Sequence, residues 1–149
     1  MIMKRLSVLL VCFATLAMTS CSLFNAAASS NSVAKASGQS CGSAVQGLYG
    51  AYRSSGNIDL TNATNLNNAL ALATSYANLK QNKDNPEYRQ AFTSGLIASS
   101  AGLITSANAS AFVDKLLASS GLANINSQNI AQTASTAVTI VNLLKVIKQ

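Results

Sequence analysis

The chain has no histidine and no tryptophan, a single proline, four acidic residues, and charged side chains at only 9% of its positions. Lack of histidine removes the usual general base and the usual ligand for zinc, copper or iron. With no histidine and only three cysteines, a transition-metal site lacks ligands, and no metal or cofactor is expected. A thiol or serine nucleophile would have no imidazole to activate it. Nucleic acid is also excluded: the cations are scattered, and a binding footprint needs a dense basic stripe or a known module. No Gly-rich phosphate loop, nucleophile elbow or Ser-x-x-Lys arrangement occurs. What the chain holds in abundance is Ala, Ser and Asn, a composition suited to close helix packing and to a surface made polar by amides and hydroxyls.

The strongest positive feature is the beginning. Met1-Ile-Met-Lys4-Arg5 precedes an apolar run of 13 residues, Leu6 to Met18, followed by Thr19-Ser20-Cys21. At 1.5 Å per residue the run spans about 20 Å, short of the roughly 20 residues that cross a bilayer core. Charge, apolar run and small residues in that order describe a cleaved export signal. The placement of Cys21 resembles the lipobox of bacterial lipoproteins, which are alkylated by diacylglycerol at the cysteine and then cleaved by signal peptidase II. Here Met18, Thr19 and Ser20 stand where that family commonly has Leu, Ala or Ser, and Gly or Ala. The resemblance implies a mature protein beginning at Cys21, acylated there (diacylglycerol, with palmitate-type chains), and held on a membrane. Ser22 follows in place of the Asp that marks inner-membrane retention in enteric bacteria, and no acidic run follows, so the resemblance points to the outer membrane facing the periplasm. The competing expectation is cleavage after Ala26-Ala27-Ala28, which would release a soluble exported protein.

Residues 1–20 are therefore read as the signal, 21–38 as a lipidated flexible tether poor in large apolar groups, and 39–149 as one domain. Lys4 and Arg5 leave with the signal, so eight cations face four carboxylates and the mature chain carries +4. That favours weak attraction to anionic headgroups. Cys12 is discarded and Cys21 acylated, leaving Cys41 unpaired, either a small buried apolar residue or an intermolecular disulfide partner.

Apolar periodicity predicts five helices. The first runs from about Gln39 to Arg53 on Cys41, Val45, Leu48, Tyr49 and Tyr52. The second runs from Thr61 or Asn62 to Lys80 on Leu66, Leu70, Ala73, Tyr76 and Ala77, widened by Leu72 and Leu79. The third opens with Asn85 as cap, Pro86 at the first position and Glu87 in the first turn. It continues to about Ile104 through Tyr88, Phe92, Leu96, Ser99 and Leu103, with Gly95, Ala98 and Gly102 as a narrow side. The fourth spans about Asn108 to Ser120, ending at Gly121 as a left-handed cap covered by Leu122. The fifth begins near Asn126 with an Ile125/Ile130 staple and continues through Ala134, Val138, Val141, Leu144 and Ile147. Five helices without a strand predict an all-α antiparallel bundle. The uncharged stretch Gln90–Val113 is long enough to span a membrane but too polar, so it reads as helix–turn–helix.

The expected function is that of a non-enzymatic, lipid-anchored module with a protein partner in the cell envelope. The alternative is an exported protein holding a small apolar or peptide ligand between helices, with Tyr49, Tyr52, Tyr76, Tyr88 and Phe92 as candidate groove residues. The two differ in outcome: the first expects a filled core, the second an internal cavity lined by Tyr, Leu and Phe.

Overall fold

A computed structural model describes residues 30–124 and 133–148. Among the described residues there are five α-helices and no strand, an all-α bundle: α1 (Ser30–Ser55), α2 (Ala63–Gln81), α3 (Pro86–Ser99), α4 (Ala109–Ala118) and α5 (Thr133–Leu144). Short 3₁₀-helical turns at Ser120–Asn124 and Lys145–Lys148 follow α4 and α5.

The first helix starts nine residues earlier than its large apolar groups predict. Residues 30–38, assigned to the tether, are helical, and Ala34, Ser37 and Gly38 are buried. They extend the stripe Cys41, Val45 and Leu48 towards the N-terminus with side chains too small to register as hydrophobic pattern. Their burial follows from backbone contact instead. A methyl group at Gly38 would overlap the carbonyl oxygen of Phe92 and lie 2.8 Å from its carbonyl carbon. One at Gly42 would lie 2.6 Å from the Leu96 carbonyl oxygen, and one at Gly95 would overlap the Lys35 carbonyl oxygen. Hydroxyls tie the same seams: Ser99 donates to the Gln39 carbonyl (2.8 Å), and buried Ser75 of α2 donates to the Ser37 carbonyl (3.1 Å). The α3 contacts advance together along both helices, which makes α3 parallel to α1, whereas Ser37 with Ser75 and Gly47 with Asn68 pair in opposite order and make α2 antiparallel. The rest of the expected tether, residues 21–29, lies outside the described residues.

Boundaries elsewhere follow local chemistry. Gly56 ends α1 in the left-handed region (φ +71°), its N–H donating to the Tyr52 carbonyl at 2.8 Å. Asn62 caps α2, accepting from Thr64 N–H (2.9 Å) and Asn65 N–H (3.3 Å). Asn85 caps α3, accepting from Tyr88 N–H at 3.1 Å, with Pro86 in the first turn. The third helix stops at Ser99, five residues before the predicted Ile104. Buried Ser100 there accepts from the Ile104 N–H (3.1 Å), and Ala101 and Gly102 turn the chain at φ 51° and 80°. Gly102 therefore serves the turn, and Ala98 is exposed; only Gly95 supplies the narrow side. The break separates α3 from α4, and among the described residues no helix is long and apolar enough to cross a membrane.

Three further expectations are corrected. Gly121 is not left-handed: it lies in the 3₁₀ turn against the Thr139 hydroxyl, where a methyl group would come within 2.8 Å. In α2 the buried line is Ala69, Leu72, Ala73, Tyr76 and Leu79, whereas Ala77 is exposed and Leu66 and Leu70 are half-buried. In α5 the buried residues are Thr136, Ile140, Leu143 and Leu144, and Val138 is 59% exposed. The Ile125/Ile130 staple lies outside the described residues.

The core is a single cluster. Its aromatic members are Tyr76, Tyr88, Phe92 and Phe112, packed with Leu48, Leu72, Leu79, Leu96, Ile104, Leu116, Leu122 and Ile140. Each such side chain contributes about 1.5–3 kcal/mol by leaving water. Ile58 and Leu60 of the α1–α2 loop are also in the cluster.

Candidate functional site

The five aromatic candidates do not assemble into a groove. Tyr76, Tyr88 and Phe92 belong to the core, at 1%, 4% and 0% exposure, while Tyr49 and Tyr52 are half-buried at its edge. Their spacing places them on the packed faces of α1, α2 and α3, so the interior is occupied by the residues proposed to line a cavity. The Lys80 ammonium lies over the Tyr76 ring, 5.5 Å from its centroid. The Tyr88 hydroxyl is buried without a hydrogen-bond partner. An orphaned phenol costs about 1–3 kcal/mol in desolvation, offset by the packing of its ring.

Two surface grooves stand out among the described residues, and neither is lined by a tyrosine or phenylalanine. One, of about 470 Å³, lies between α3 and α4. Its apolar parts are Ile97 and Val113; hydroxyls come from Thr93, Ser94 and Ser110, and Gln90 and Arg89 complete it. The Arg89 guanidinium is held by Asp114 of α4 at 2.8 Å. The Thr93 hydroxyl is committed to the Arg89 carbonyl at 2.7 Å. Gln90, Thr93, Ser94 and Ile97 follow the i, i+3, i+4, i+7 spacing of one helix face. That spacing is present in the sequence beside the Tyr88–Phe92–Leu96 stripe, but three of its four residues are polar and give no apolar signal. The second groove, of about 370 Å³, lies between loop residues Asn57 to Thr61 and Ala137 and Val138 of α5.

The titratable groups are dispersed. Asp84 pairs with Lys83 (2.7 Å), and Glu87 occupies the first turn of α3, where its charge complements the helix dipole. Fully exposed Asp59 accepts from the Thr61 hydroxyl (2.7 Å) and the Thr61 N–H (2.9 Å), which holds its carboxyl below the usual range. Among the described residues no group of three or more His, Cys, Asp or Glu could hold a metal ion. Cys41 is a free thiol in the core of α1, its pKa pushed up to about 12 by burial. A thiol so protonated is a poor nucleophile. Cys21, the expected lipidation site, lies outside the described residues.

Compared with known proteins, the chain matches no family model, no curated protein and no solved structure.

Proposed function

We propose that this chain is a lipid-anchored protein of the bacterial cell envelope, acting as a non-enzymatic interaction or structural module at the outer membrane. The observation that carries the reading is the segment Met1 to Cys21: two cations, a run too short to span, small residues and then a thiol available for acylation. The beginning of α1 at Ser30 supports it, because only eight residues separate Cys21 from a folded helix. An acylated Cys21 thus confines the bundle to the membrane surface, where a weak partner contact is favoured by high local concentration. The assignment of Tyr76, Tyr88 and Phe92 to the core favours this reading over a ligand held between helices.

Intact-mass spectrometry of the protein extracted from host membranes tests it. A chain beginning at Cys21 with added acyl mass is expected, and Cys21→Ala should move the protein out of the membrane fraction. An unacylated chain beginning near Ser29 would refute the anchor.

A further inference from the structure

The helix pairings collect cations at one end of the bundle. The Ser75 hydroxyl bonds the Ser37 carbonyl, and the Asn78 amide faces the Ser37 hydroxyl at 3.5 Å. The end of α2, with Lys80, and the following Lys83 are therefore level with the first turns of α1. Gly95 against Lys35 and Gly38 against Phe92 bring the start of α3, with Arg89, to the same level. The Arg89–Asp114 pair draws Lys115 of α4 there as well. Five of the eight cations beyond Cys21 thus share the end at which α1 begins: Lys35, Lys80, Lys83, Arg89 and Lys115. The carboxylates of Asp84 and Asp114 are neutralised by Lys83 and Arg89, and Glu87 is the third acid present. Lys35, Lys80 and Lys115 are exposed and not ion-paired among the described residues, which leaves an excess of two positive charges. Val33, 47% exposed, is one of two large hydrophobic residues so exposed among the described residues, and it lies within this end. The opposite end, around the α1–α2 loop, carries Arg53 and Asp59, and the two remaining cations, Lys145 and Lys148, lie in the 3₁₀ turn after α5.

We propose that the end bearing Val33, Lys35, Lys80 and Lys115 is a membrane-facing surface that rests on anionic phospholipid headgroups. The inference depends on the lipid-anchor reading of Cys21. Nine Cα steps from Cys21 to Ser30 cover at most about 30 Å, less than the roughly 39 Å length of the 26-residue α1. The anchor consequently keeps this end nearer the bilayer than the opposite one and lets it reach an attraction that decays over about 8–10 Å at physiological salt. Lysines there draw anionic headgroups, and exposed Val33 offers an apolar contact at the same end.

Full-length acylated protein in phosphatidylcholine vesicles, with or without phosphatidylglycerol, provides the test. Single surface cysteines at Gln81→Cys and Ser54→Cys carry a fluorophore; Cys41 resists labelling because it is fully buried in the core. Quenching by a headgroup-attached quencher reports proximity to the bilayer. The ratio of quenching at position 81 to that at 54 should be at least about twofold larger with phosphatidylglycerol than without. High salt and the combined Lys35→Gln, Lys80→Gln and Lys115→Gln substitutions should abolish the increase, and Arg53→Gln should leave it. A ratio independent of lipid charge, or unchanged by the three substitutions, overturns the surface while vesicle flotation still upholds the anchor. A chain with a free, unacylated Cys21 that fails to float with vesicles refutes the anchor and, with it, this surface.

Discussion

Replacing Gly38 by alanine tests the central packing claim, because the site offers no side chain that could move aside. The added methyl group meets the Phe92 carbonyl oxygen and carbon and the Leu96 nitrogen, all backbone atoms of α3. Relief therefore requires α1 and α3 to separate. Overpacking of a tight interior costs about 1–3 kcal/mol, and a rigid backbone obstacle belongs at the upper end. Alanine returns about 1 kcal/mol through its greater helix propensity. The net loss is about 2 kcal/mol, or a fall in Tm of about 8 °C for a domain near 100 residues. Gly50 supplies the internal control: it lies in the same helix, with nothing within 4 Å of an added methyl group. Gly50→Ala should gain about 0.5–1 kcal/mol. The Gly38→Ala/Gly95→Ala double variant should cost less than the sum of its parts, since one separation accommodates both methyl groups. Urea titration followed by far-ultraviolet circular dichroism measures all four. If Gly38→Ala proved as stable as Gly50→Ala, residues 30–38 would not be packed on α3, and the backbone-contact account of α1 would be wrong.

Two further outcomes follow from local geometry. Asn85→Ala removes the acceptor for the Tyr88 N–H and should cost about 1 kcal/mol, read from the same titration; a neutral result would deny the cap any part in starting α3. The Cys41 thiol has its pKa raised from 9.0 to about 12 in the folded state, so its contribution is complete below pH 9 and declines as pH rises towards 12. Across that window wild type should lose about 1.4 kcal/mol more per pH unit than Cys41→Ala; equal slopes in pH-dependent urea midpoints would contradict burial of the thiol.

Helix starts were legible wherever a side chain supplied the signal. Asn62 and the Asn85-Pro86-Glu87 run name the beginnings of α2 and α3 because their amide oxygens replace missing backbone acceptors. The start of α1 was illegible for the opposite reason: Ala34, Ser37 and Gly38 are buried by being small, and hydropathy rewards size. The facing sides of α2 and α5 were misjudged where apolar residues occupy adjacent stripes. Leu66 and Leu70 compete with Leu72 and Leu79, and Val138 competes with Ile140, so periodicity alone cannot choose the inward face. Tyr76 and Tyr88 are members of the apolar stripes read from the sequence, and those stripes carry them into the interior, while Tyr49 and Tyr52 stay half-buried at its edge. The groove between α3 and α4 was missed because Gln90, Thr93 and Ser94 look like ordinary solvated positions until α4 is set beside them.

The backbone seam between α1 and α3 also gives the molecule a mechanical character. Tension applied at Ser30 along the axis of α1 would slide that helix past α3, loading the Gly38, Gly42 and Gly95 contacts together in shear. Interlocked carbonyls resist sliding as teeth do, and none can fail alone while its neighbours hold. Force entering at Ser30 would thus spread over more than two helical turns, with the Ser99–Gln39 and Ser75–Ser37 hydrogen bonds as cross-ties.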